Sequence, residues 1–250
     1  MANNILFFTS LLANDKHIPE YRAYSLATWQ HYAKKYDLEL LILEDPLFDV
    51  ELMRPTWQRW YVFDILKKNN IEYNQVALID IDTMVRWDTP NIFELSEGKY
   101  TGVIDDLSVE WTYSSIEGYK EYFPGVDLKW YKYINNGMLV LPEQGAEEFC
   151  KKITTFYSEN INSLRDKQHN SLRKGTDQTP VNYLAVDSFG TDIKYLSKEY
   201  NMTHMHKTFA FHNDTFIKCS YIWHFNGFPR DQRNQAMKET WEKIKHNYND

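Results

Sequence analysis

Apolar runs and helical stripes alternate along the first hundred residues. Ile5–Ser10 is a short apolar run closing on small hydroxyl residues, and it predicts a strand. Tyr21–Tyr36 carries Leu26, Trp29, Ala33 and Tyr36 at helical spacing, and Leu38–Leu43 is again strand-like. Pro55 suits the first turn of a helix running to about Asn69, with Trp57, Tyr61 and Ile65 on one stripe. Gln75–Ile79 reads as a buried strand that leads straight into Asp80. Strand, helix, strand, helix, strand predicts a parallel sheet with covering helices, whose ligands sit beyond the carboxyl ends of the strands.

Farther on, Tyr100–Ile104 and Gly137–Leu141 predict strands on either side of an aromatic stretch: Trp111, Tyr113, Tyr119, Tyr122, Phe123, Trp130, Tyr131 and Tyr133. Helices are predicted over Glu143–Leu164, Asp177–Val186 and Arg230–Tyr248, the last with Met237, Trp241, Ile244 and Tyr248 on its core face. Tyr221–Phe225 is the final strand. Repeats and low-complexity linkers are absent, so the 250 residues read as a single α/β domain.

Composition narrows the function classes. A 43% hydrophobic share supports a sizeable core, and the 16% aromatic share leaves rings over for stacking on a flat ligand. With 28 Lys and Arg against 35 Asp and Glu, the net charge is −7; there is no basic block, so a nucleic-acid partner is not expected. An acidic protein that handles a phosphorylated ligand would need a metal to offset the charge. The two cysteines, Cys150 and Cys219, form no CxxC and are expected to be packed free thiols rather than a disulfide or zinc site. No signal peptide and no apolar stretch of about 20 residues is visible, so the expected location is cytoplasmic. The sequons Asn201-Met202-Thr203 and Asn213-Asp214-Thr215 carry no weight without a secretory route.

The sharpest chemical signal is Leu78-Ile79-Asp80-Ile81-Asp82-Thr83. Two acids one residue apart at the end of an apolar strand are hard to explain by packing. Strand alternation would point both carboxylates the same way. Their mutual repulsion then calls for a cation or donors. Hard oxygen ligands favour Mg²⁺ or Mn²⁺, which in turn favour phosphate oxygens.

Asp80-Ile81-Asp82-Thr83, followed by Asp88-Thr89-Pro90-Asn91-Ile92-Phe93-Glu94-Leu95, resembles the DxD region of GT-A-fold glycosyltransferases, and most closely that of glycosyltransferase family 8. Four further segments fall in that family's order. They are Pro55-Thr56-Trp57-Gln58-Arg59, Tyr133-Ile134-Asn135-Asn136-Gly137-Met138-Leu139-Val140, Gly175-Thr176-Asp177-Gln178-Thr179-Pro180-Val181-Asn182 and Trp223-His224-Phe225-Asn226-Gly227. The resemblance implies a GT-A (Rossmann-like), mixed, mostly parallel central sheet, with 1–105 as the nucleotide-binding half and 106–250 as the half for acceptor and donor sugar. It implies a nucleotide-sugar donor, UDP-linked by preference, a carbohydrate or other hydroxyl acceptor, and transfer with retention in which the leaving phosphate serves as base. His224 would complete a Mn²⁺ (or Mg²⁺) site with Asp80 and Asp82. Arg59, Asn135, Asn136 and Gly227 would contact the donor. Asp177 would bind sugar hydroxyls, and Gln178 would lie beside the anomeric centre. Thr9, ending the first strand, marks the place of the base or ribose.

Local readings stand beside these. Asn135-Asn136 before a glycine also reads as a turn, Asp177 as a helix cap, and Arg59 as an exposed helical arginine. His204 and His206 read as a polar loop. The family's Lys-Pro-Trp after His-x-x-Gly is replaced by Phe228-Pro229-Arg230, so only Arg230 is in place of the lysine. Three other functions share some of these features. A haloacid-dehalogenase-type phosphatase also has a strand followed by DxD, but that motif normally opens its domain, whereas 79 residues precede Asp80 here. A nucleotidyltransferase would need a Gly-rich basic loop, and Phe8–Asp15 has no glycine. A non-catalytic carbohydrate-binding protein could use the aromatic stretch, which in an enzyme would form an acceptor platform or lid.

Overall fold

A computed structural model describes residues 3–10, 20–173, 177–207 and 214–248, without the side chains of Arg230 and Asp231. Gly175, Thr176, most of the Phe8–Asp15 loop, Asn213 and the Arg230 side chain therefore lie outside the described residues. The order is β1 (Asn3–Thr9), α1 (Tyr21–Lys35), β2 (Glu39–Leu43), α2 (Pro55–Gln58), α3 (Val62–Lys68), β3 (Tyr73–Asp80), β4 (Thr83–Val85), α4 (Ile92–Ser96) and β5 (Tyr100–Ile104). There follow α5 (Val109–Tyr119), β6 (Ile134–Leu141), α6 (Ala146–Asp166), α7 (Gln178–Phe189), β7 (Ile193–Leu196), α8 (Thr215–Lys218), β8 (Ile222–His224) and α9 (Arg230–Ile244).

Six strands form one sheet in the order β2-β1-β3-β6-β5-β7, and β4 pairs with β8 in a second, two-stranded sheet. Within the large sheet β6 alone runs against the others: it is antiparallel to β3 and β5, while β1–β2, β1–β3 and β5–β7 are parallel. The sheet is mixed and mostly parallel, as expected. Strand alternation splits the core in two. Ile5, Phe7, Val76, Leu78, Leu139 and Leu141 face one cluster with α2, α3, α5, α6 and α7, and Leu6, Phe8, Ala77, Ile79, Met138 and Val140 face the other with α1 and α9. Burial on both faces explains the near-continuous apolar runs of β1, β3 and β6.

Several local expectations give way to tertiary structure. The helix from Pro55 is interrupted by a 3-10 turn at Arg59–Tyr61. β6 begins three residues before its apolar run, so Asn135 and Asn136 lie in a fully buried strand and not in a turn. The aromatic stretch is mostly core: Tyr119, Phe123 and Tyr133 are buried, whereas Tyr113, Trp130 and Tyr131 are exposed. Cys150 is buried as expected, but Cys219 is exposed. Among the described residues no helix is long and apolar enough to cross a membrane.

Candidate metal and donor site

The acids converge through a turn rather than through strand alternation. β3 ends at Asp80, and Ile81-Asp82 turns the chain into β4. Thr83 Oγ1 donates to Asp80 O at 2.7 Å, and α1 braces the turn from outside: Ser25 Oγ donates to Thr83 O (2.5 Å) and Trp29 Nε1 to Thr83 Oγ1 (3.0 Å). The small sheet then brings in the distant imidazole. Thr83 pairs with His224, Met84 with Trp223 and Val85 with Ile222, and Phe225 N donates to Asp82 O at 2.9 Å. One ligand atom from each of Asp80, Asp82 and His224 lies within 4.8 Å of the others. Two hard carboxylates and one imidazole at this spacing fit a divalent cation with open positions for further oxygens.

The neighbouring charges treat the two acids differently. His224 Nε2 lies 3.3 Å from Asp82 Oδ1, and Arg233, on the first turns of α9, reaches Asp82 Oδ2 at 3.1 Å. Burial would raise the Asp82 carboxyl, but His224 and Arg233 outweigh it and hold it at about 2. Burial pushes the Asp80 carboxyl above its ordinary range against the pull of Arg59, and Asp82 adds to the rise.

Arg59 is not an exposed helical arginine. It is 2% exposed and forks between Asp80 Oδ1 (2.5 Å) and Asp177 Oδ2 (2.9 Å), a geometry that suits a planar guanidinium. Asp177 Oδ2 also accepts from Trp60 Nε1 (3.0 Å) and Asn136 Nδ2 (3.3 Å). Its side chain makes no capping bond to α7, so the predicted cap role is replaced by this buried cluster. Gln178 Oε1 accepts from Asn136 N at 3.2 Å, and Gln178 Nε2 donates to Asp105 Oδ2 at 3.0 Å. Asp80, Asp82, Arg59, Asn136, Asp177, Gln178 and His224 thus belong to one connected group of side chains. Thr9 pairs in register with Asp80 at the same end of the sheet. Gly227 takes φ +72° just after His224, and no atom of the described residues lies within 4 Å of a Cβ placed there.

Gly137 has a steric reason invisible in the sequence. A Cβ there would fall 2.6 Å from His224 Nδ1 and 2.9 Å from Nε2, so the imidazole packs directly on the strand backbone. Buried polar atoms of this region with no partner among the described residues include Thr9 Oγ1, Arg59 Nε and Asn136 Oδ1. Such groups are rare and costly in a closed core, and a polar ligand would satisfy them. Residues absent from the sequence-based set are Asp105, Arg233 and Asn201. Asn201 reads in sequence only as half of a sequon, yet it is wholly buried and its Oδ1 lies 3.0 Å from His224 Nδ1. His204 stands apart from the triad and bonds Asp106 at 3.0 Å.

No protein-family model and no curated protein matches the chain. Solved structures do. A glycosyltransferase involved in glycosylation of the major capsid of PBCV-1 superposes with a TM-score of 0.61 at 14% identity, over 95% of this chain and 99% of the other. The galactosyltransferase LgtC, in complex with donor and acceptor sugar analogs, gives a TM-score of 0.51 at 16% identity over 96% of each chain. At these identities the likeness is one of fold: the chain has the single-domain architecture of GT-A glycosyltransferases.

Proposed function

We propose that this protein is a metal-dependent glycosyltransferase that moves a sugar from a nucleotide-sugar donor, UDP-linked by preference, to an acceptor hydroxyl. The observation that carries the reading is the meeting of Asp80, Asp82 and His224 at the carboxyl end of β3. Departure of a nucleotide from a glycosyl carbon puts negative charge on a diphosphate, and Mn²⁺ or Mg²⁺ held by these three residues would supply the charge that stabilises it. Within this reading the chain is a family 8 enzyme and the transfer retains configuration.

The chain's own groups have separable tasks. Arg59 holds Asp80 and Asp177 in fixed positions by charge-assisted bonds, which keeps one acid aimed at the cation and the other at the sugar. Its Nε and the Asn136 Oδ1 are free to meet donor hydroxyls, and Asn135 backs that segment. Gln178, held by Asp105, would sit beside the anomeric centre. The turn at Gly227 leaves open space for the diphosphate, and Thr9 would contact the ribose or base, so that 1–105 cradles the nucleotide and 106–250 the sugars. The exposed rings of Tyr113, Trp130 and Tyr131 offer an acceptor platform. A phosphatase would need Asp80 as a free nucleophile, which a guanidinium at 2.5 Å disfavours.

A thermal-shift screen of nucleotide sugars with and without Mn²⁺ tests the proposal, because a ligand of the native state raises apparent stability. A donor-dependent rise in stability that appears only when Mn²⁺ is present supports it, and a flat response to every donor contradicts it.

A further inference from the structure

We infer that Asn201 is a positioning residue that fixes the proton of His224 on Nδ1, and so presents the Nε2 lone pair to the cation; the inference rests on the metal-site reading above. Asp105 carries a carboxylate, which only accepts, so the atom of Asn135 that lies 3.1 Å from Asp105 Oδ2 must be its amide nitrogen. The other end of Asn135 is then Oδ1, and the Gly137 N–H donating to it at 2.9 Å agrees. Asn201 approaches the same Oδ1 at 3.0 Å and must offer its own Nδ2. Its remaining oxygen therefore faces His224 Nδ1 at 3.0 Å, and that nitrogen must be the one that donates.

Every donor in this line points the same way, from His224 through Asn201 and Asn135 to Asp105. Reversing one amide would set oxygen against oxygen, or N–H against N–H, at the next junction. Asn201, Asn135 and His224 are 0%, 3% and 3% exposed, so water cannot readily replace a member. The same Asp105 oxygen accepts from Gln178 Nε2, which links the imidazole to the residue beside the sugar. Nε2, the nitrogen left over, is the one that faces Asp82. A metal-bound imidazole needs its other nitrogen tied to an acceptor that sets tautomer and ring orientation, and here an asparagine relay provides it.

The test reads the ring directly. Long-range proton–nitrogen correlation spectra of the ¹⁵N-histidine-labelled, metal-free protein in alkaline buffer report which His224 nitrogen carries hydrogen. The expected result is Nδ1–H in the wild type. In Asn201→Leu the population should shift toward Nε2–H, and the Mn²⁺ dissociation constant, followed by the EPR signal of free Mn²⁺, should rise about 10–100-fold. A wild-type ring protonated on Nε2 would overturn the inference, even if the variant fails to fold. So would an Asn201→Leu protein that loses only thermal stability, with tautomer and Mn²⁺ affinity unchanged. Neither readout uses a nucleotide sugar, so failure of the transferase reading and failure of this one are separate results.

Discussion

Replacing Gly137 with alanine adds a single methyl group, and the structure assigns it a defined consequence. The added Cβ would stand 2.6 Å from His224 Nδ1 and 2.9 Å from Nε2, where ordinary contact begins at 3.4 Å. The backbone of His224 is held by its pairing with Thr83, so the ring must yield. A retreat of roughly 1 Å is several times the ~0.2 Å latitude of a metal–ligand distance. It also strains the bond from Nδ1 to Asn201. Gly137 does not have a left-handed φ, so alanine meets no backbone penalty and the effect isolates the ring contact. We expect Mn²⁺ affinity to fall about 10–100-fold and stability to fall by about 1–3 kcal/mol from overpacking. Gly102→Ala is the matched control. Its Cβ meets Ile134 Cγ2 at 2.5 Å and Leu139 Cδ2 at 3.0 Å, so it should destabilise without touching the imidazole. EPR titration of free Mn²⁺ and urea denaturation of both variants provide the comparison. Wild-type Mn²⁺ affinity in Gly137→Ala, or an equal loss in Gly102→Ala, would show that the glycine does not seat the imidazole.

Three more perturbations probe the surrounding charges. Asp82, held at about 2 against an ordinary 3.8, contributes stability that is fully present above about pH 4 and is lost as pH falls toward 2; the whole term is about 2 kcal/mol, and urea denaturation across that window should lose it in Asp82→Asn. Arg59→Lys places one ammonium where a fork bridged two buried acids, so unfolding free energy should drop by roughly 3 kcal/mol, with a still larger loss for Arg59→Met. Arg233→Gln removes the cation that competes for Asp82 Oδ2, and calorimetry without donor should then show Mn²⁺ binding several-fold tighter, whereas weaker binding would mean that Arg233 helps build the site.

Much of this arrangement could be read before any coordinates, for particular reasons. β1, β3 and β6 are buried on both faces, so their apolar runs stand out, and an acid pair at the end of such a run has no packing explanation. His224 stands out only through the resemblance of His224-Phe225-Asn226-Gly227, because β4 and β8 are three residues each and carry no periodicity. Local patterns misled where a long-range partner decides the outcome. Asp177 has the sequence setting of a helix cap, yet its partners are Arg59, Trp60 and Asn136. Arg59 looks like a surface residue until two acids from distant segments enclose it. Asn135 and Asn136 suggest a turn because polar side chains rarely sit within a buried strand, and only their bonds to Asp105, Asn201, Asp177 and Gln178 make that burial affordable. Asn201 gave no signal at all, since its role depends wholly on a ring 23 residues away in sequence.

In the proposed site two acids and one imidazole grip a single divalent ion. Crystals grown with Mn²⁺ and UDP, measured at a wavelength where manganese scatters anomalously, test it most directly. One strong anomalous peak per chain is expected, bonded to Asp80, Asp82 and His224 Nε2 and shared with diphosphate oxygens. A well-ordered diphosphate with no peak there, or a peak ligated by other residues, would contradict it.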